Sequence, residues 1–122
     1  LLAEHYVRAK RMLTVYRTEV ERVFEDVDAL LTPATPAIAP KLGAVSVTTE
    51  GLTEPAGNAI TRFTSFFNMT GHPAVTLPSG MHSAGLPMGV QLVGRQFGEA
   101  GLLRLASIID ANLDFNVPAA SV

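Results

Sequence analysis

The side chains that could do chemistry in this sequence are few and widely spaced. His5, His72 and His82 show no metal-ligand spacing, and there is no cysteine. Neither a metal site nor a disulfide framework nor thiolate chemistry is expected. Nucleophilic catalysis needs a serine within hydrogen-bond reach of a base, with donors for the oxyanion. Ser65 and Ser79 lack a flanking G-x-S-x-G elbow, while Lys10 lies in a helical stretch and Lys41 in a loop. GAVSVTTEG and GHPAVTLPSG have neither the spacing nor the lysine of a phosphate-binding loop. Asp and Glu fall mostly on helix surfaces and read as a solvated face. No catalytic set can be assembled from these residues alone.

The elements that would position such groups are centred on residues 67–95, FNMTGHPAVTLPSGMHSAGLPMGVQLVGR. Two near-continuous apolar runs, Ala74–Pro78 and Pro87–Gly94, are each bounded by Gly and Pro, the pattern of strands buried on both faces. Gly89 and Gly94 are expected where a side chain would hold neighbouring backbone away. Upstream, Leu2, Tyr6, Ala9, Leu13, Tyr16, Val20, Val23 and Val27 recur at steps of four and three, predicting a helix from about Leu2 to Asp26. Heptad spacing also permits a coiled coil, but Tyr and Ala on the seam favour a helix lying across a sheet. Asp28–Leu31 reads as a short buried strand stopped by Thr32-Pro33.

Pro33, Pro36 and Pro40 then fix an extended or turning loop, with a proline-rich recognition ligand as the other reading. Leu42–Asn58 has no sustained period and reads as a long excursion covering a pocket mouth or a neighbouring subunit. Thr61–Met69 predicts a short helix with Phe63, Phe66 and Phe67 on one face, Thr61 as cap and Gly71 as its left-handed end. Phe97-Gly-Glu99 opens a last helix to about Asn112, with Leu102, Leu105, Ala106, Ile109 and Leu113 apolar. The tail Asn116–Val122 should be loosely held. The fold class is α/β, in the order α-β-loop-α-β-β-α, the strands belonging to a larger mixed sheet.

The chain has 122 residues, 48% of them apolar and 16% charged, which allows one domain at most. A formal net charge of −2 gives no electrostatic case for nucleic acid or an anionic membrane. Nothing approaches the roughly eighteen consecutive apolar residues of a bilayer span. So apolar a chain, opening at Leu1 inside a helical pattern, reads as part of a larger protein whose remainder covers much of this surface. Absence of cysteine fits a reducing compartment, and a cytoplasmic location is expected.

The stretches DALLTPATPAIAP, RFTSFFNMTGHPAVTLPSG and LPMGVQLVGRQFGEAGLL follow the first helix in this order. Together they resemble the C-terminal quarter or so of amidase-signature enzymes, from Tyr6 to about Asn112. The resemblance makes residues 1–122 one part of a single domain of that α/β/α fold. It implies a serine amidohydrolase in which a nucleophilic serine, a second serine in a cis peptide and an earlier lysine lie upstream of Leu1. Carboxylic amides would be hydrolysed to acid plus ammonia or amine, with no cofactor. No catalytic residue is carried over to this sequence. Thr32 matches a position lining the acyl-substrate pocket, and Ala34, Thr35 and Pro36 would border it. Asn68 would brace freed backbone at the helix end.

The glutamyl-tRNA amidotransferase branch usually carries an Asp at the position of Thr61, where it recognises the amino group of glutamine. A neutral Thr61, placed by the resemblance at the substrate, favours a general amidase over that alternative. A non-catalytic binding or assembly module on the same scaffold is the reading from another class. The expected partners are a small-molecule amide and further copies in a homo-oligomer. The 122 residues alone are expected to be inactive and to expose an apolar face.

Overall fold

The computed structural model describes residues 2–113, so the expectation for Asn116–Val122 falls outside the described residues. Nine elements follow one another: α1 (Ala3–Val23), β1 (Leu30–Pro33), β2 (Ser46–Thr49), β3 (Leu52–Pro55), α2 (Ala56–Thr61), α3 (Thr64–Thr70), β4 (Ala74–Met81), β5 (Pro87–Val93) and α4 (Glu99–Asn112). β1, β5 and β4 form an antiparallel sheet in that order, and β2 pairs with β3 as a separate hairpin. The α/β order is the one the sequence predicts, with a hairpin inside the long loop and the short helix in two pieces.

β5 is the centre of the fold because helices cover it on both faces. Successive side chains of a strand point to opposite sides. Val93 joins Val20, Phe24 and Phe67 beneath α1 and α3, whereas Leu92 joins Leu77, Leu102 and Ala106 beneath α4. Gln91 to Gly94 are all buried. The two glycines flanking this run have the expected reason to be small. A Cβ on Gly89 would lie 3.2 Å from Thr76 Cγ2 and 3.3 Å from the Leu77 carbonyl oxygen, and one on Gly94 would lie 3.3 Å from Leu102 Cβ.

Burial on both faces does not extend to β4. Val75 and Leu77 turn toward α4, but Ala74, Thr76 and Pro78 are exposed, because neither α1 nor α3 reaches over them. β1 starts two residues later than predicted and includes Pro33. A proline is tolerated there because β1 is an edge strand. Leu31, expected in the interior, is 64% exposed.

The docking face of α1 is rotated from the predicted stripe. Val20 and Phe24 are buried and Tyr16 meets the Phe66 ring edge-on at 6.0 Å, while Val23 and Val27 are exposed. Phe24, at the end of the helix, fills the space against Phe67 and Val93. Leu2, Tyr6, Val7, Met12 and Val15 face solvent.

The predicted helix over Thr61–Met69 is interrupted at Arg62-Phe63. Thr61 ends α2 instead of capping a helix, and its hydroxyl donates to the Gly57 carbonyl at 2.7 Å. Gly71 does close α3 in the left-handed conformation, at φ 76°. Asn68 is exposed and its side chain makes no hydrogen bond among the described residues. The bracing falls instead to Arg17 and Gln96, whose side chains each donate to the Thr70 carbonyl at 2.9 Å. Beside them the buried His72 ring lies 2.9 Å from Thr70 Oγ1 and 3.0 Å from Glu21 Oε1, and stacks on Phe24. Glu21 Oε1 also accepts from the Gln96 backbone amide, so this half-exposed carboxylate joins α1 to the segment after β5.

Candidate functional site

A cleft of about 880 Å³ opens where three stretches remote in sequence meet. Its walls are the proline-rich loop after β1, the tip of the β2–β3 hairpin, and the ends of β4 and β5 around their connection, joined by Ile60 of α2. β5 brings them together: Pro33 pairs with Val90, the Ala34 amide donates to the Gly89 carbonyl at 2.9 Å, and Pro78 stands opposite Gly89. The Thr35 hydroxyl donates to the Ala37 carbonyl at 2.8 Å and fixes the turn of the loop.

Two of the five predicted substrate residues, Thr35 and Pro36, line this cleft. Ala34 is buried, its amide spent on Gly89. Thr32 lies on the face of β1 opposite Pro33, and its hydroxyl accepts from Gln91 Nε2 at 3.3 Å. Thr61 is exposed and does not line the cleft.

Sequence reasoning missed the hairpin. Its tip, Glu50-Gly51, carries positive φ at both residues, 50° and 82°, as a two-residue type I′ turn requires. The β-branched run SVTT and the short run LTE, joined by two residues ending in Gly, were the available signal. Asn, Asp or Gly ordinarily takes the first turn position, and left-handed backbone costs another residue about 1–2 kcal/mol.

Thr35, Thr48, Thr49, Glu50, Ser79 and His82 bring polar groups to a wall otherwise made of Pro, Ala, Ile, Met, Val and Gly. Thr48 is paired with the Thr53 hydroxyl at 2.8 Å. His82 Nδ1 accepts from the Ala84 amide at 3.1 Å, which engages that nitrogen within its own loop. Among the described residues Ser79 and His82 share the cleft without a hydrogen bond between them, so these two do not form a nucleophile–base pair. The arrangement can bind and orient a ligand. Among the described residues no group of His, Asp and Glu could hold a metal ion, and no helix is long and apolar enough to cross a membrane.

Comparison with known proteins agrees with the architecture. The family model for amidases matches residues 1–103. The chain is 40% identical over 112 residues to a glutamyl-tRNA(Gln) amidotransferase subunit of Myxococcus xanthus, covering 91% of this chain and 22% of that protein. A crystal structure of an amidase superposes with a TM-score of 0.88 at 31% identity, over 93% of this chain and 26% of the amidase. The corresponding glutamyl-tRNA(Gln) amidotransferase subunit of Thermotoga maritima superposes with a TM-score of 0.73 at 28% identity, over 94% of this chain and 25% of that one. The chain thus spans about a fifth to a quarter of the length of these relatives. On the match over residues 1–103, it belongs to the amidase-signature family.

Proposed function

We propose that this chain is the C-terminal part of one amidase-signature domain, contributing sheet β1-β5-β4, its helices and one pocket wall to an enzyme that hydrolyses linear carboxylic amides. The family match over residues 1–103 carries this reading. The nucleophilic serine, the cis-peptide serine and the lysine would come from protein preceding this chain. The serine oxygen attacks the amide carbonyl, the amine departs with a proton from the relay, and water then hydrolyses the acyl-enzyme. Thr35 and Pro36, backed by Ala34, would limit how the acyl or amine group lies. Thr32 and Thr61 stand off this cleft, so their share in substrate binding would come through groups supplied from outside the chain.

The exposed apolar residues of α1 and the uncovered face of β4 support the expectation that further protein packs here. The chain alone would then be inactive and self-associating, and the assembled enzyme is proposed to be a cytoplasmic homo-oligomer.

A second reading, as part of an amidotransferase, is favoured by the 40% identity to the Myxococcus xanthus protein. Against it stands Thr61, whose hydroxyl is turned back on its own helix and brings no charge to an ammonium ion. The deciding assay measures hydrolysis of simple amides and of glutamine by the chain and by a form extended upstream to its natural start. Simple-amide hydrolysis by the extended form alone supports the first reading, and glutamine hydrolysis the second. Hydrolysis by neither form overturns the first reading in favour of a non-catalytic module or a partner-dependent amidotransferase, and hydrolysis by the chain alone overturns the placing of the catalytic groups upstream.

A further inference from the structure

Glu50 is the one charged residue on the cleft wall, and it forms no ion pair among the described residues. No lysine or arginine among the described residues lines the cleft. The carboxylate is held there by a turn residue at φ 50°, a position that asparagine or glycine would occupy with less strain. The turn therefore does not explain the choice of glutamate. The same cleft is lined by the apolar side chains of Ile38, Ile60 and Met88. Neighbouring polar groups are partly spent: Thr48 is paired with Thr53, Thr35 with the Ala37 carbonyl, and His82 Nδ1 with the Ala84 amide.

The geometry points to Glu50 as a specificity-determining residue that selects, for this cleft, a ligand with an apolar body and a protonated amine. Resting on the amidase reading, the substrate class is an amide carrying a terminal ammonium group. An ionised carboxylate only accepts hydrogen bonds, so it favours an ammonium over a neutral end and repels a carboxylate. Because the hairpin tip is exposed, the apolar wall supplies most of the affinity and Glu50 supplies the discrimination.

The test titrates the 122-residue chain with hexylammonium, 1-hexanol and hexanoate, followed by amide NMR shifts. Hexylammonium should bind about threefold to fivefold more tightly than hexanol at low salt, the range an exposed ion pair supports, with hexanoate weakest. Shifts should centre on Thr49–Gly51 and Met88, and the preference should shrink with added salt. Glu50→Gln should abolish the discrimination, as should Glu50→Asn, which suits the left-handed backbone and keeps the hairpin. Equal binding of hexylammonium and hexanol, no saturable binding of hexylammonium, or a preference that survives both variants would overturn the proposal. These readouts need no turnover. Inactivity of the extended enzyme would count against the amidase reading alone, whereas amide hydrolysis with no ammonium preference would count against Glu50 alone.

Discussion

Replacing Gly89 and Gly101 in turn by alanine should move stability in opposite directions. On β5, a new Cβ at position 89 would sit 3.2 Å from Thr76 Cγ2, 3.3 Å from the Leu77 carbonyl oxygen and 3.6 Å from Ala34 Cβ. The threonine methyl can rotate away. The carbonyl cannot, because Leu77 is paired with Val90, and on the other side the Ala34 amide is bonded to the Gly89 carbonyl at 2.9 Å. The strand is thus held from both flanks, and relief requires a backbone shift. Overpacking of this kind costs about 1–3 kcal/mol. Gly101 lies within α4, where an added Cβ meets nothing within 4 Å. Alanine there recovers about 0.8–1.0 kcal/mol of helix propensity. At about 4 °C per kcal/mol for a chain of this size, Gly89→Ala should lower the melting temperature by about 4–12 °C and Gly101→Ala should raise it by about 4 °C. Thermal unfolding followed by far-ultraviolet circular dichroism measures both. An unchanged or raised melting temperature for Gly89→Ala would refute the clamping of β5 between β1 and β4. A lowered one for Gly101→Ala would mean that the open side of α4 is occupied.

Leu92, buried to 2% among Leu77, Leu102 and Ala106, should cost about 2–5 kcal/mol on truncation to alanine, read from the urea midpoint. His72→Ala removes the bond to Glu21 and the stack on Phe24 and should cost about 2 kcal/mol. With Glu21→Ala it should be non-additive by at least about 0.5 kcal/mol in a double-mutant cycle, and strict additivity would count against the direct pair. Size-exclusion chromatography should show concentration-dependent association with binding of an apolar dye, given the exposure of Leu2, Tyr6, Val7 and Val15. A dilute monomer that binds no dye would refute that expectation.

The parts of the fold readable from sequence are those whose signals are local. The apolar face of α4 repeats at helical spacing, Gly71 ends α3 as only a residue at ease with positive φ can, and Gly89 and Gly94 stand where backbone is crowded. What could not be read depends on which neighbour arrives. Continuous apolar runs mark both β4 and β5, yet only β5 is covered on both faces, because α1 and α3 sit over one strand and not the other. The stripe along α1 gives the period of a helix and leaves its phase open. Burial of Phe24 in place of Val23 is set by where Phe67 and Val93 lie. Glu21 and His72 read as a surface acid and a helix-end histidine, although 51 residues of separation close into one hydrogen bond.

The cleft illustrates the same division at the site. Its walls come from residues 33–40, 48–50 and 79–90 with Ile60 of α2, and no period within any one stretch announces the others. Only the pairing of β1 and β4 to opposite edges of β5 sets the proline-rich loop beside the β4–β5 connection. Adjacent residues then part company: Pro33 faces the cleft while Thr32 turns to Gln91, a consequence of the two-residue repeat of a strand. A motif such as LLTPATP can therefore run along the cleft and still leave open which of its side chains face it. Glu50 carries no motif at all. What singles it out is a glutamate kept in a left-handed turn on the wall of an apolar cleft that has no other charge among the described residues, a coincidence visible only once the chain is folded.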